Sequence, residues 1–290
     1  MKKLVALIMA LMMCLFCFTA CGGNTDVAGD TNAATDSVAD TGAETPDVVE
    51  DVAYVTNQGK MIVGITYLEP LDFQDADANW IGFDAELATA VAEKLGVEVV
   101  FQEISWEAKE AELAAKHIDC IWNGLTITPS RQEEMSISKP YMKNKQIVVV
   151  LADEAEGYTD VNSLAGKVIA AEAGSAGEEI VLGNIADAVY VEKSIQLDAL
   201  TEVKALTSDA AVIDYVMANY LINKEGSDFA DLAILDMALS DDEYYGIAFR
   251  KGSDLTEKVN GILAELEADG TIAAIAEKYA LTAAVLSMAD

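Results

Sequence analysis

Apolar positions along this chain switch repeatedly between a short period and a helical one. Lys60 to Tyr67 reads as a strand. Phe83, Leu87, Val91 and Leu95 then fall on one face of a helix from Gly82 to Leu95, with Gly96 as its stop. Val97 to Phe101 predicts the next strand, Glu107 to Lys116 a helix, and Ile118 to Trp122 a short buried strand entering a loop at 123–128. Gln146 to Leu151 and Lys167 to Ala171 are β-rich runs, each followed by a loop and a helix, and Ala210 to Ile213 is another buried strand. Near the end, Leu255, Val259, Ile262, Leu263 and Leu266 mark a helix ended by Gly270. Thr271 is expected to cap a last helix through Ile272, Ile275 and Tyr279. Strands alternating with helices predict an α/β architecture, with ligands at the carboxyl ends of the strands.

The first fifty residues follow neither pattern. Met1-Lys2-Lys3 and the apolar run Leu4–Ala20 have the layout of a secretory signal, too short for a membrane span. The ending Phe18-Thr19-Ala20-Cys21 resembles a bacterial lipobox, although Phe18 stands where that motif usually has Leu. Such a site implies cleavage before Cys21 and lipidation of its thiol. From Gly22 to about Val52 the chain is rich in Asn, Thr, Asp, Ala and Gly with no aromatic residue, which predicts a flexible acidic linker. Cys14 and Cys17 lie in the segment to be removed and Cys21 would be modified. That leaves Cys120 alone, expected as a small apolar filler.

The formal charge of −32 excludes a basic face for nucleic acid. It also disfavours anionic ligands at long range, so a carboxylate ligand would need a dedicated local cation. Arg131 is such a candidate. Thr128 and Pro129 read as the N-cap and first residue of a short helix, which places Arg131 in a first turn that favours anions. A bound carboxylate would neutralise both; a solvated surface Arg is the plainer reading. His117, the sole histidine, lies in a turn and is expected to be solvated; Lys109 and Glu110 could line a ligand side-chain pocket, with helix-surface charges the plainer reading. No Cys/His metal cluster, P-loop or serine-nucleophile elbow occurs. An enzyme is not expected.

Several stretches in order carry a resemblance: Ile81-Gly82-Phe83-Asp84-Ala85-Glu86-Leu87, Asp119 through Arg131, Ser138-Lys139-Pro140-Tyr141, Tyr245-Gly246-Ile247-Ala248-Phe249-Arg250-Lys251-Gly252, and Leu266 through Tyr279. Together the chain resembles the extracellular solute-binding proteins of family 3, the polar amino-acid-binding proteins of ATP-driven (ABC) importers. The resemblance implies a two-lobed, type II periplasmic-binding-protein fold with two hinge strands and a cleft between the lobes. Lobe one would be 54–141 plus 246–290 and lobe two 146–241, after a signal at 1–20 and a lipidated linker at 21–53. It also implies a monomer without a cofactor, lipid-anchored at the outer face of the cytoplasmic membrane, whose partners are an amino acid and a permease.

Carried over residue by residue, the resemblance places the ligand carboxylate on Arg131 and on the amide of Thr126, whose hydroxyl meets the ammonium. Gly124 would offer a carbonyl to the ammonium, and Asp214 its counter-charge. The turn from Gly174 to Gly177, with Ser175 and Ala176, would cap the carboxylate from lobe two. Trp106 would form an apolar wall, with Trp122 either a second wall or core. In the loop 67–73 the ligand's cover is Tyr67, Leu68 or Phe73; Tyr67 is the nominated residue. Asp214 could instead cap a helix. Two other functions share this scaffold: a prephenate or arogenate (cyclohexadienyl) dehydratase, and a ligand-sensing subunit that signals without transport.

Overall fold

The computed structural model describes residues 48–237 and 239–288. The expected secretory signal at 1–20, the expected lipidation site Cys21 and the expected linker up to residue 47 lie outside the described residues. The folded body begins earlier than composition predicts. Val49 N–H donates to the Gly252 carbonyl at 2.9 Å, and a helix runs Asp51–Gln58. Its anchor is Asp51, wholly buried, which accepts from Arg250 Nε and Nη2 at 2.9–3.1 Å. A fork-shaped cation holds that carboxylate by two parallel bonds, so this segment is ordered by charge together with the apolar burial of Val55.

Two sheets carry the molecule. The first has six strands, in the order Glu98–Glu103, Lys60–Ile65, Cys120–Thr126, Glu243–Arg250 and Met135–Ile137, with Met142–Asn144 also paired to Glu243–Arg250. Its first three strands are parallel, Lys60 opposite Glu98 and Val63 opposite Cys120; Glu243–Arg250 runs antiparallel. One face buries Trp106, Ile118, Ile121, Leu125 and Ala248, the other Met61, Val63, Cys120, Trp122 and Ile247. The second sheet has five strands, in the order Val189–Lys193, Val168–Glu172, Ala210–Asp214, Gln146–Leu151 and Leu232–Ile234. Val148, Val150, Ile169, Ala171 and Val212 pack on one of its faces. The chain leaves the first sheet after Met142–Asn144 and returns through Glu243–Arg250. These two crossings are paired side by side, Asn144 opposite Glu243, and form the two hinge strands of a two-lobed α/β fold.

The helices follow the apolar periodicity closely. Phe83–Leu95 buries Phe83, Leu87 and Val91 and ends on Gly96 in the left-handed region; Leu255–Ala268 buries all five expected residues. Three local expectations are corrected. The last helix, Thr271–Lys278, is not capped by Thr271: Gly270 holds the N-cap position, and the Asp269 carboxylate accepts from the Thr271 N–H at 3.0 Å. The strand expected to stop at Trp122 continues to Thr126, because Thr126 and Leu125 still pair with Tyr245 and Gly246. The strand expected to reach Tyr67 ends at Ile65, which frees Thr66 onward for the loop over the cleft.

Candidate functional site

A narrow cavity lies between the sheets, lined by Leu68, Trp106, Asn123, Gly124, Thr126, Arg131, Glu172, Ser175, Ala176, Gln196 and Asp214. Seven of the eight nominated residues are therefore brought together, from both lobes. A more open groove near Tyr215, Tyr220 and Leu281 contains none of them.

Arg131 reaches the cavity because its helix begins where it does. The Thr128 hydroxyl accepts from the Arg131 N–H at 3.2 Å and Pro129 takes the first turn, so Pro129–Glu134 starts directly beneath the strand end. The guanidinium is buried rather than solvated. Nη1 donates to the Thr126 carbonyl at 2.8 Å and Nη2 to the Gly174 carbonyl at 3.2 Å, with Glu179 at 3.8 Å. Thr126 also donates its hydroxyl to Glu243 Oε2 at 3.3 Å.

Gly124 sits at φ +56°, where a side chain would be strained, and an added Cβ would come within 2.8 Å of Leu68. Its N–H donates to Asp84 Oδ2 at 2.9 Å, and Tyr141 donates its hydroxyl to the same oxygen at 2.7 Å. Asp72 Oδ2 accepts from Asn123 Nδ2 at 2.7 Å. The floor of the cleft thus rests on two fully buried carboxyls, and burial pushes Asp84 up to about 6 and raises Asp72 as well, with the Asp84 carboxylate adding to that rise.

The opposite wall comes from the second sheet. Val168–Glu172 feeds a turn at 173–175 and the helix Ala176–Asn184. Ser175 is the N-cap: its hydroxyl accepts from the Glu178 N–H at 3.1 Å, while the Gly174 N–H donates to Glu178 Oε2 at 2.7 Å. The expected row of free amides is therefore shorter than the sequence implied. Gly174 is held by Glu178 and Ser175 by the Glu172 carbonyl, leaving Ala176 and Gly177 as the donors at this helix start. Gly174 (φ +72°) has a second constraint, since a Cβ there would lie 2.8 Å from the Glu107 backbone of the first lobe.

Asp214 ends the strand Ala210–Asp214 and its side chain does not cap the following helix. Its oxygens accept from side-chain amides instead: Asn144 at 2.5 Å and Gln146 at 2.6 Å on Oδ1, Gln196 on Oδ2. Burial raises its pKa and these amide donors oppose the rise. Its partners are neutral, so a carboxylate here still faces the cavity without a counter-cation.

Two expectations fail at this site. Tyr67 does not line the cavity; its ring packs 4.9 Å from that of Trp80, and Leu68 turns inward because its backbone closes a tight bridge with Asp72. Lys109 is not a surface charge. It is buried, donating to the carbonyls of Gly174 at 2.9 Å and Trp106 at 3.2 Å, with Glu110 at 3.2 Å. Sequence reading missed Glu172, Gln196 and Asn123 in the lining. Glu172 carried a signal, a charged residue closing an apolar strand. Trp122 is core, His117 is solvated against Glu112, and Cys120 is buried with its thiol pushed up by burial.

The profile of the bacterial extracellular solute-binding proteins, family 3, matches residues 61–282. The arginine-binding extracellular protein ArtP of Bacillus subtilis is 31% identical over 225 residues, 76% of this chain and 86% of ArtP. The L-cystine-binding protein TcyJ of Escherichia coli is 31% identical over 229 residues, 78% of this chain and 84% of TcyJ. A crystal structure of an ABC uptake transporter substrate-binding protein from Streptococcus pneumoniae with bound histidine superimposes with a TM-score of 0.72. It is 32% identical and covers 79% of this chain and 96% of its own. The chain belongs to the bacterial extracellular solute-binding proteins of family 3.

Proposed function

We propose that this protein captures a free amino acid outside the cytoplasm by closing its two lobes, and delivers it to the permease of an ABC importer. The observation that carries the reading is one cavity faced by a guanidinium from one lobe and an amide-bound carboxylate from the other. An α-amino acid presents the matching pair, a carboxylate for Arg131, Thr126 and the Ala176–Gly177 amides, and an ammonium for Asp214 and the Gly124 carbonyl. Enclosing a zwitterion costs its hydration, which paired and hydrogen-bonded charges offset. Both charges are met only when the lobes meet, so ligand shifts the open–closed equilibrium toward closed.

In this reading lobe one is 54–141 with 246–290, lobe two is 146–241, and binding involves no turnover. Lipidation of Cys21 would hold the protein at the membrane beside its permease, with the linker as tether. The reading draws support from the relatives, whose names record amino-acid binding. Calorimetry against the twenty amino acids, cystine and ornithine tests it. At least one should bind with micromolar or tighter affinity, about 8 kcal/mol or more; no binding to any of them would refute it. Cys21→Ser should release the protein from membranes on fractionation, and retention would refute the anchor.

A further inference from the structure

Glu172 closes the strand Val168–Glu172, is 3% exposed and lines the same cavity, yet no group among the described residues hydrogen-bonds its Oε1. A buried carboxylate oxygen without a donor is costly, and such an atom persists where a proton or an incoming cation completes it. The nearby cations donate their hydrogen bonds elsewhere, although Lys109 is close enough to attract Glu172 electrostatically. Arg131 serves the Thr126 and Gly174 carbonyls, and Lys109 serves Gly174, Trp106 and Glu110. Glu243, beside Asp214, receives only neutral donors, from Gln146 at 3.0 Å, Thr126 at 3.3 Å and Ser240 at 3.4 Å. A zwitterionic backbone brings one ammonium, which Asp214 claims, and one carboxylate, which Arg131 claims. Negative charge remains in surplus at the side-chain end.

We propose that Glu172 sets the ligand class of this cleft: its free oxygen accepts from the cationic end of a basic amino-acid side chain, whose aliphatic stem lies along Trp106 and Leu68. The proposal rests on the amino-acid-capture reading and narrows it to arginine, lysine and ornithine. The wall residues suit the stem, since an indole face and an isobutyl group bury methylenes and the indole also attracts a cation. A neutral or acidic side chain would leave the Glu172 carboxylate unpaired or set it against a like charge.

Calorimetry on the full-length protein in detergent decides the matter, with L-arginine, L-lysine, L-ornithine, L-citrulline, L-glutamine and L-glutamate as ligands. Citrulline has arginine's shape without its charge. The wild type should bind arginine at least about 30-fold tighter than citrulline, the scale expected for truncating a buried charge pair. Glu172→Gln should bring that ratio within about threefold, and Glu172→Asp should restore part of it. A wild-type ratio near one overturns the proposal whether or not the variants fold. So does an unchanged ratio in Glu172→Gln, or turnover of prephenate by the wild type that Glu172→Gln abolishes. Tight binding of neutral or acidic amino acids alone would overturn Glu172's role and leave amino-acid capture standing. Binding of no amino acid would remove both.

Discussion

Arg131 donates to two carbonyls from opposite lobes, Thr126 and Gly174, and so sits where closure and ligand capture share a residue. A guanidinium has five N–H donors, which leaves several for a carboxylate. Arg131→Ala should weaken the best ligand by at least about 100-fold, while the melting temperature of the ligand-free protein changes by only a few degrees. A large drop in melting temperature would instead mark Arg131 as a structural tie. Arg131→Lys should rescue little, because a point charge cannot present two parallel donors. Asp214→Asn should cost binding about 30-fold or more, since it removes the anion while keeping a carbonyl for Asn144 and Gln146. An unchanged affinity would show that the ammonium docks elsewhere. Arg131, Thr126, Gly124 and Asp214 were legible because their types and order resemble the family. Glu172 left only its place at a strand end as a signal, and Lys109 read more readily as a surface charge because its partner, the Gly174 carbonyl, comes from the second lobe.

Among elements, the helix Phe83–Leu95 does more than fill the first lobe. Its apolar face was readable from spacing, but Asp84 within that buried face was not explained by periodicity. The structure supplies the reason: its carboxyl holds the Gly124 N–H and accepts from Tyr141, fixing the left-handed glycine of the binding strand. Burial raises Asp84 from 3.8 to about 6, so between these values the folded state holds a proton that the unfolded state has released. Stability from this group is therefore present below pH 3.8 and is lost as pH rises through 6, by at most about 3 kcal/mol. Chemical denaturation of wild type and Asp84→Asn from pH 4 to 8 should show a smaller loss in the variant, in which Asp72 and the other buried carboxyls still titrate. Parallel profiles would refute it. The turn at Gly174 makes a second element-scale test. Gly174→Ala puts a Cβ against Glu107 in a strained conformation, so it should oppose closure and weaken binding about tenfold with the secondary structure intact. Wild-type affinity in that variant would show that the lobes need not come so close. Capping was read less well, since Thr271 proves to be the first helical residue and Gly270 holds the N-cap position.

At the scale of the whole molecule, the alternation of strands and helices indicated an α/β protein but could not divide it into lobes. The first sheet is built from residues 60–144 and 243–250, and no local pattern announces that a strand 100 residues away will complete it. That long-range pairing was legible only through resemblance. The same holds for the order of the folded start, where Asp51 reaches Arg250 across the chain. The charge of −32 now has a local counterpart: a strongly acidic molecule concentrates Arg131 and Lys109 at the cleft, together with carboxylates that outnumber them. A further ion pair, Lys224 to Glu69 at 3.3 Å, joins the rims on either side. Its partial exposure limits its contribution to about 1 kcal/mol, so closure depends on the buried groups rather than on this latch.

The measurement that bears most directly on the account is a crystal structure with the tightest-binding amino acid. The α-carboxylate should lie on the Arg131 guanidinium and the Ala176–Gly177 amides, with the α-ammonium on Asp214. A ligand held outside this cavity, or one inside it with Arg131 and Asp214 both turned away, would contradict the account.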